Sequence, residues 1–238
     1  MNTRIKGKDG MMVPERNGRL MKKKKAMIIC GGIIQVDFAL ETIRDVEPDC
    51  IIAADKGLEF LYQQNIVPDV IVGDFDSVSK KVLSHYVGEK TISIYQHHSK
   101  KESSDTELAI EAAMELEHKE LLILGATGNR LDHFWGNVQS LKTPLDQEIL
   151  AIILDEKNRI RLIHRDFTLK KSESFGSYFS LFPLGGTVEK VSLEGAKYPL
   201  KNESLTPWNS RFISNEIVED ELKITFDDGV VVLMETKD

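Results

Sequence analysis

From Ala26 to about residue 145 the chain alternates between short apolar runs and stretches where apolar residues return every three or four positions. The runs are AMIIC (26–30), CIIAAD (50–55), DVIVGD (69–74), TISIY (91–95) and ELLILG (120–125). Runs this short, bounded by polar segments, predict buried strands. Two of the intervening stretches carry a helical period. Leu108, Ala112 and Leu116 share one face over 103–117, and Leu131, Phe134, Trp135, Val138 and Leu141 share one over 131–141. At that spacing Trp135 reads as core. Strands alternating with helices predict βαβ units and a parallel sheet covered on both faces.

Past about residue 148 the pattern changes. LAIILDEKNRIRLIH predicts two strands around a polar turn, and SYFSLFPLGG, TVEKVSLEG and ELKITFDDGVVVLME continue the strand signal. Asp228-Gly229 is a hairpin turn signal. The expected class is α/β: an N-terminal parallel-sheet α/β domain over 26–147, followed by a C-terminal antiparallel β-sandwich domain over 148–238.

Composition narrows the class. The chain has 238 residues, 41% of them hydrophobic, and a formal charge of −7. That supports a globular chain with a core, and no run approaches the length of a membrane span. The charge is uneven. Residues 1–25 hold nine basic side chains against two acidic ones, a net +7, which leaves −14 for the rest. An acidic body excludes general nucleic-acid binding. The basic leader lacks an apolar core, so it is no secretory signal. It reads as a disordered extension, with Met21 a candidate natural start, and the expected location is cytoplasmic. Cys30 and Cys50 both fall in apolar runs and are expected to be buried free thiols.

In open α/β sheets ligands bind at the carboxyl ends of the strands, and acidic residues gather there. Asp55 closes the second run, Asp74 closes the third with Asp76 two residues on, Asp105 opens the helix after the fourth, and Arg130 and Asp132 follow the fifth. Five carboxylates at one edge repel one another unless a cation is present. Magnesium suits them, because it takes one or two carboxylates together with water and substrate phosphate oxygens. Asp74 and Asp76, two apart at an extended strand end, would point the same way. Blander readings stand beside this one. GDFDSV also fits a polar turn in which Asp76 or Ser77 caps the next helix. Ser104-Asp105-Thr106-Glu107 fits a capping box. Lys56, Lys101 and Arg130 are surface cations that could also neutralise a polyphosphate. Gly31-Gly32 and Gly125-Ala126-Thr127-Gly128 permit close backbone approach to a ligand, though neither is a GxxxxGK[ST] loop. His97 and His98 sit in a polar loop without evident metal partners.

The succession AADKGLEFL, IVPDVIVGDFDSV, KKESSDTELAI and LILGATGNRLDHFWGNVQSL, with KYPLKNESLT and ISNE in the tail, resembles the thiamine pyrophosphokinase family over about 26–238. The resemblance implies an ATP-binding α/β domain, a thiamine-binding sandwich, and a homodimer holding thiamine between subunits. The implied reaction converts thiamine and ATP to thiamine diphosphate and AMP. It implies that Asp74, Asp76 and Asp105 are catalytic and hold Mg²⁺ and phosphate, that Asp55, Lys101, Arg130 and Asp132 complete the nucleotide pocket, and that Ser214 and Asn215 contact thiamine. A thiazolium cation suits an aromatic face, and Trp208 is the candidate, with sandwich packing or a dimer contact as its alternative. Either Asp105 or Asp74 could accept the thiamine hydroxyl proton. Other functions fit single motifs: a haloacid-dehalogenase-like phosphatase (DFDSV), a pterin-type pyrophosphokinase, or a non-catalytic thiamine or nucleotide sensor.

Overall fold

The computed structural model describes residues 5–6, 12–13, 25–87, 91–96, 103–128 and 130–238. The chain divides into two compact units, Met1–Asn137 and Val138–Asp238. Within the leader, β1 (Ile5–Lys6) pairs antiparallel with β2 (Met12–Val13). The rest of 1–24, residues 88–90, residues 97–102 with His97, His98 and Lys101, and Asn129 lie outside the described residues.

The first unit alternates as the pattern predicts. In chain order come β3 (Lys25–Ile29), α1 (Val36–Val46), β4 (Cys50–Ala54), α2 (Gly57–Gln63) and β5 (Val70–Gly73). They are followed by α3 (Lys80–Val87), β6 (Ser93–Gln96), α4 (Asp105–Glu115), β7 (Glu120–Leu124) and α5 (Leu131–Ser140), whose last three residues fall in the second unit. These strands are parallel, in the order β7-β3-β4-β5-β6. The central strands are buried nearly throughout, as in Met27, Ile28, Ile29, Ile52, Ala53, Ile71 and Val72. That explains their continuous rather than alternating apolar runs.

The helical faces agree with expectation only in part. On α4 the buried residues are Thr106, Ala109, Ile110, Ala112 and Ala113; of the expected face Ala112 is buried, while Leu108 and Leu116 are half-buried. On α5, Val138 is buried and so is Leu141 just beyond it, but Leu131 is 75% exposed and Trp135 42% exposed. Trp135 is therefore not core.

The second unit opens with α6 (Lys142–Asp146) and continues as strands: β8 (Leu150–Leu154), β9 (Asn158–Ile163), β10 (Phe167–Lys170), β11 (Tyr178–Leu184), β12 (Val188–Glu194), β13 (Leu200–Leu205), β14 (Glu221–Thr225) and β15 (Val230–Thr236). Here β11-β15-β9-β8 and β10-β14-β12-β13 form two antiparallel layers. One core joins them, with Phe179, Leu181, Val231 and Leu233 from the first layer and Leu169, Val191, Leu193, Leu222 and Ile224 from the second. This is a β-sandwich. The Asp228-Gly229 turn does not close a hairpin. It carries the chain from β14 in one layer to β15 in the other, through Gly229 at φ +140°. Both strands bury alternate residues in the shared core, and that pattern is the same whether the turn stays in one sheet or crosses to the next. Strands β10 and β13 escape the sequence pattern because they are edge strands with few buried positions.

Glu235 on β15 is fully buried. It accepts hydrogen bonds from Arg159 Nε at 2.7 Å, Arg161 at 3.2 Å and the Phe175 backbone N–H at 3.1 Å. Among the described residues, no helix is long and apolar enough to cross a membrane. Both cysteines are buried and neither is in a disulfide among the described residues; burial pushes the Cys30 thiol up to about 12.

Candidate functional site

Two tight turns at neighbouring strand ends build the site. After β4, Asp55 adopts a left-handed backbone (φ +45°). Its N–H donates to the Val72 carbonyl at 2.9 Å, and its own carbonyl accepts from the Leu58 N–H at 3.0 Å. One residue thereby ties β4 to β5 and starts α2. Gly57 lets that helix begin against the sheet, since a Cβ there would lie 1.9 Å from the Ile29 carbonyl oxygen. After β5, buried Phe75 is also left-handed (φ +64°). Conformations of this kind cost on the order of 1–3 kcal/mol when non-glycine residues adopt them, and they cluster at functional sites.

The turn, rather than strand alternation, presents the aspartate pair. Strand β5 stops at Gly73. Asp74 and Asp76 converge because Phe75 reverses the backbone and the Asp76 N–H donates to Asp74 Oδ1 at 3.1 Å. Oxygens of Asp55, Asp74 and Asp76 all lie within 4.8 Å of one another. Asp105 faces the same group from the first turn of α4. Its Oδ1 would sit 3.5 Å from a Cβ placed on Gly73. Burial, and then the charges of Asp55, Asp74 and Asp76, raise its carboxyl to about 6. The capping box is also real: Glu107 N–H donates to Ser104 Oγ at 3.2 Å, and Ser104 N–H to Glu107 Oε2 at 2.7 Å. Asp105 is therefore held rigidly at the helix start.

This donor set fits a hard divalent cation. Its atoms are all carboxylate oxygens, and Asp55 Oδ1 is buried with no hydrogen-bond partner among the described residues. A buried anionic oxygen left unpaired costs free energy that a cation would recover.

Four of the five expected acids gather here. Asp132 is not among them. It forms a forked ion pair with Arg130, at 3.2 and 2.6 Å, on the surface. Arg130 holds the Asp132 carboxyl down at about 2. The glycine loops serve each other first. Gly32 N–H donates to the Gly125 carbonyl at 2.9 Å, where a Cβ on Gly32 would stand 2.3 Å from that oxygen. Two polar residues to which the sequence assigned no place in the site support it. Ser77 donates its hydroxyl to Asp55 Oδ2, and buried Asn137 donates to the Ala126 carbonyl at 2.8 Å, holding the second glycine loop. Ser77's place inside GDFDS was the available signal; Asn137 offered none.

In the second unit, Ser214 is exposed in a left-handed conformation (φ +55°), and its N–H donates to Ser180 Oγ at 3.0 Å. Asn215 is buried and its amide is committed. Oδ1 accepts from the Tyr198 and Glu216 N–H groups at 3.0 and 2.9 Å, and Nδ2 donates to the Tyr198 carbonyl at 2.8 Å. These hydrogen bonds make Asn215 a clamp on the turn that carries Ser214. Trp208 is 82% exposed, so it does not pack in the sandwich core.

A family profile described as Thiamin pyrophosphokinase, catalytic domain, matches residues 46–154, and one described as Thiamin pyrophosphokinase, vitamin B1 binding domain, matches residues 166–231. The chain is 29% identical over 188 residues to a thiamine pyrophosphokinase of Bacillus subtilis (strain 168), a match covering 79% of this chain and 87% of that protein. The crystal structure of thiamine pyrophosphokinase from Bacillus subtilis superposes with a TM-score of 0.79 at 27% identity, covering 90% of this chain and all of that one. Yeast thiamin pyrophosphokinase shares the fold, with a TM-score of 0.77 at 19% identity over 91% of this chain and 87% of that one.

Proposed function

Since the chain belongs to the thiamine pyrophosphokinase family and is an enzyme of that class, we propose that it transfers the pyrophosphoryl group of ATP to the primary hydroxyl of thiamine. The products are thiamine diphosphate and AMP. The observation that carries this reading is the meeting of Asp55, Asp74, Asp76 and Asp105 at one strand edge.

In this reading Asp74 and Asp76, with Asp55 and Asp105, hold Mg²⁺, which when bound neutralises triphosphate charge and fixes its orientation. The thiamine oxygen forms a bond to the β-phosphorus as the bond to the α-phosphate bridging oxygen breaks, and AMP leaves. The protein's contribution is positioning and charge neutralisation. Asp105, half-buried at the start of α4 beside the other three acids, is the carboxylate proposed to take the hydroxyl proton. Arg130 and Lys101 meet phosphate oxygens, Arg130 by sharing its guanidinium with Asp132 or exchanging that partner. Ser214 and exposed Trp208 meet thiamine, Trp208 offering its ring face to the thiazolium cation. Asn215 holds Ser214 in place. The working form is a cytoplasmic homodimer, for which sedimentation should give twice the chain mass.

The test is direct. Purified protein with ATP, thiamine and Mg²⁺ should form AMP and thiamine diphosphate in equal amounts, and neither when thiamine or Mg²⁺ is left out. Inorganic phosphate as the sole product would instead mark a phosphatase.

A further inference from the structure

Ser77 is, with Asp76, one of two positions that the sequence offers as a cap for the helix after GDFDS, but the cap falls elsewhere. The cap of α3 is Ser79, whose Oγ accepts the Val82 N–H at 3.4 Å and whose own N–H donates to Glu59 Oε1 at 3.0 Å. Ser77 turns the other way. Its hydroxyl reaches back 22 residues to Asp55 Oδ2. That leaves Asp55 with one oxygen engaged and the other, Oδ1, buried and without a hydrogen-bond partner among the described residues.

Geometry on both sides makes this contact specific. Asp55 is left-handed, and its backbone is pinned by Val72 and Leu58, so its Cα cannot shift to choose another partner. Phe75, also left-handed and buried, anchors the turn that delivers Ser77. A carboxylate on a fixed backbone still has a soft terminal torsion. A single hydrogen bond to one oxygen is what sets where the other points.

We propose that Ser77 is the positioning residue of the site: by holding Asp55 Oδ2 it fixes the carboxylate so that Oδ1 joins the Asp74 and Asp76 oxygens around a divalent cation. This rests on the reading of the acidic cluster as a Mg²⁺ site. Ser77 itself touches neither substrate nor the reacting atoms; it acts through Asp55. Partners that orient ligating carboxylates commonly matter by about 10–100-fold in metal affinity.

The experiment uses the full chain and Mn²⁺ alone, following free Mn²⁺ by electron paramagnetic resonance, with the half-saturating Mg²⁺ for AMP formation as a second readout. Ser77→Ala should weaken Mn²⁺ binding and raise half-saturating Mg²⁺ by about tenfold, with the KM for thiamine little changed. Ser77→Thr, which keeps the hydroxyl, should stay within about threefold of wild type. In an Asp55→Asn background Ser77→Ala should add less than about twofold, because its effect passes through Asp55. If Ser77→Ala proves unfolded by circular dichroism, the comparison of Ser77→Thr with Ser77→Cys, a weaker donor of similar size, carries the test, and Cys should be the weaker Mn²⁺ binder. Unchanged Mn²⁺ affinity in Ser77→Ala, or an effect that persists undiminished beside Asp55→Asn, overturns the assignment. Asp74→Asn separates the two levels. If it binds Mn²⁺ as well as wild type, the metal reading itself fails; if it is weakened while Ser77→Ala is not, only Ser77's role falls.

Discussion

Oδ1 of Asp74 accepts the backbone N–H of Asp76 at 3.1 Å, so the first carboxylate of the pair holds the turn that presents the second. Asparagine keeps that acceptor oxygen. Asp74→Asn therefore removes a charge from the cluster while leaving the turn closed. Asp74→Asn and Asp76→Asn should each lower kcat on the order of 10²-fold or more, about 3 kcal/mol of electrostatic stabilisation. Neither should lower Tm, since each relieves repulsion. Steady-state AMP formation beside a thermal melt checks this, and wild-type kcat in both variants would remove the pair from the chemistry.

The raised carboxyl of Asp105 makes stability depend on pH in a definite direction. Its value moves from 3.8 to about 6, through burial first and then Asp55, Asp74 and Asp76. The native state binds the proton more tightly than the unfolded chain. Metal-free protein should therefore be favoured below about pH 4 and lose that stability as pH rises through about 6. Asp105→Asn is uncharged throughout. It should raise the metal-free Tm by roughly 2–4 °C at neutral pH, a modest gain because the carboxylate is only half-buried and solvent screens it. Near pH 4 the gain should vanish. Fluorimetric melts in a chelator at the two pH values decide, and an equal gain at both would show that charge is not the cause.

Ser214, Trp208 and Asn215 should separate by phenotype. Ser214→Ala and Trp208→Ala touch exposed side chains and should raise the KM for thiamine, with the KM for ATP and the Tm nearly unchanged. Asn215→Ala leaves the Tyr198 N–H and carbonyl without their side-chain partner. It should cost about 1–3 kcal/mol of stability, visible as a lower denaturation midpoint. If Asn215→Ala raised the thiamine KM with full stability, the amide would be a ligand contact after all.

The buried carboxylate of Glu235 balances Arg159 and Arg161 inside the second unit. Glu235→Gln strands two guanidinium groups beside a neutral amide. Breaking a buried pair from one side typically costs about 3–5 kcal/mol. Urea titration should show a lower midpoint, and an unchanged midpoint would mean that solvent already screens the arginines.

Much of this was legible in the chain alone. The five buried runs of the first unit became parallel strands because burial on both faces demands continuous apolar sequence, a signal that survives without neighbours. Asp55, Asp74 and Asp76 fell at strand ends for the same reason, and Ser104 and Glu107 declared a helix start through contacts only three residues long. Tertiary structure alone decided what depends on distant partners. Whether Asp228-Gly229 turned within a sheet or between sheets rested on which layers took β14 and β15, and both choices bury the same alternate residues. Whether Trp135 was core rested on what covers its face of α5, and it stands 42% exposed. Asp132 left the acidic group for Arg130, two residues away and oppositely charged. Asp74 and Asp76 met through Phe75's left-handed turn, and Ser77 found Asp55 across 22 residues. A pattern of apolar and polar positions records which face of an element is buried. It does not record which remote atom a polar side chain meets, because that is set by how separate turns fold against one another.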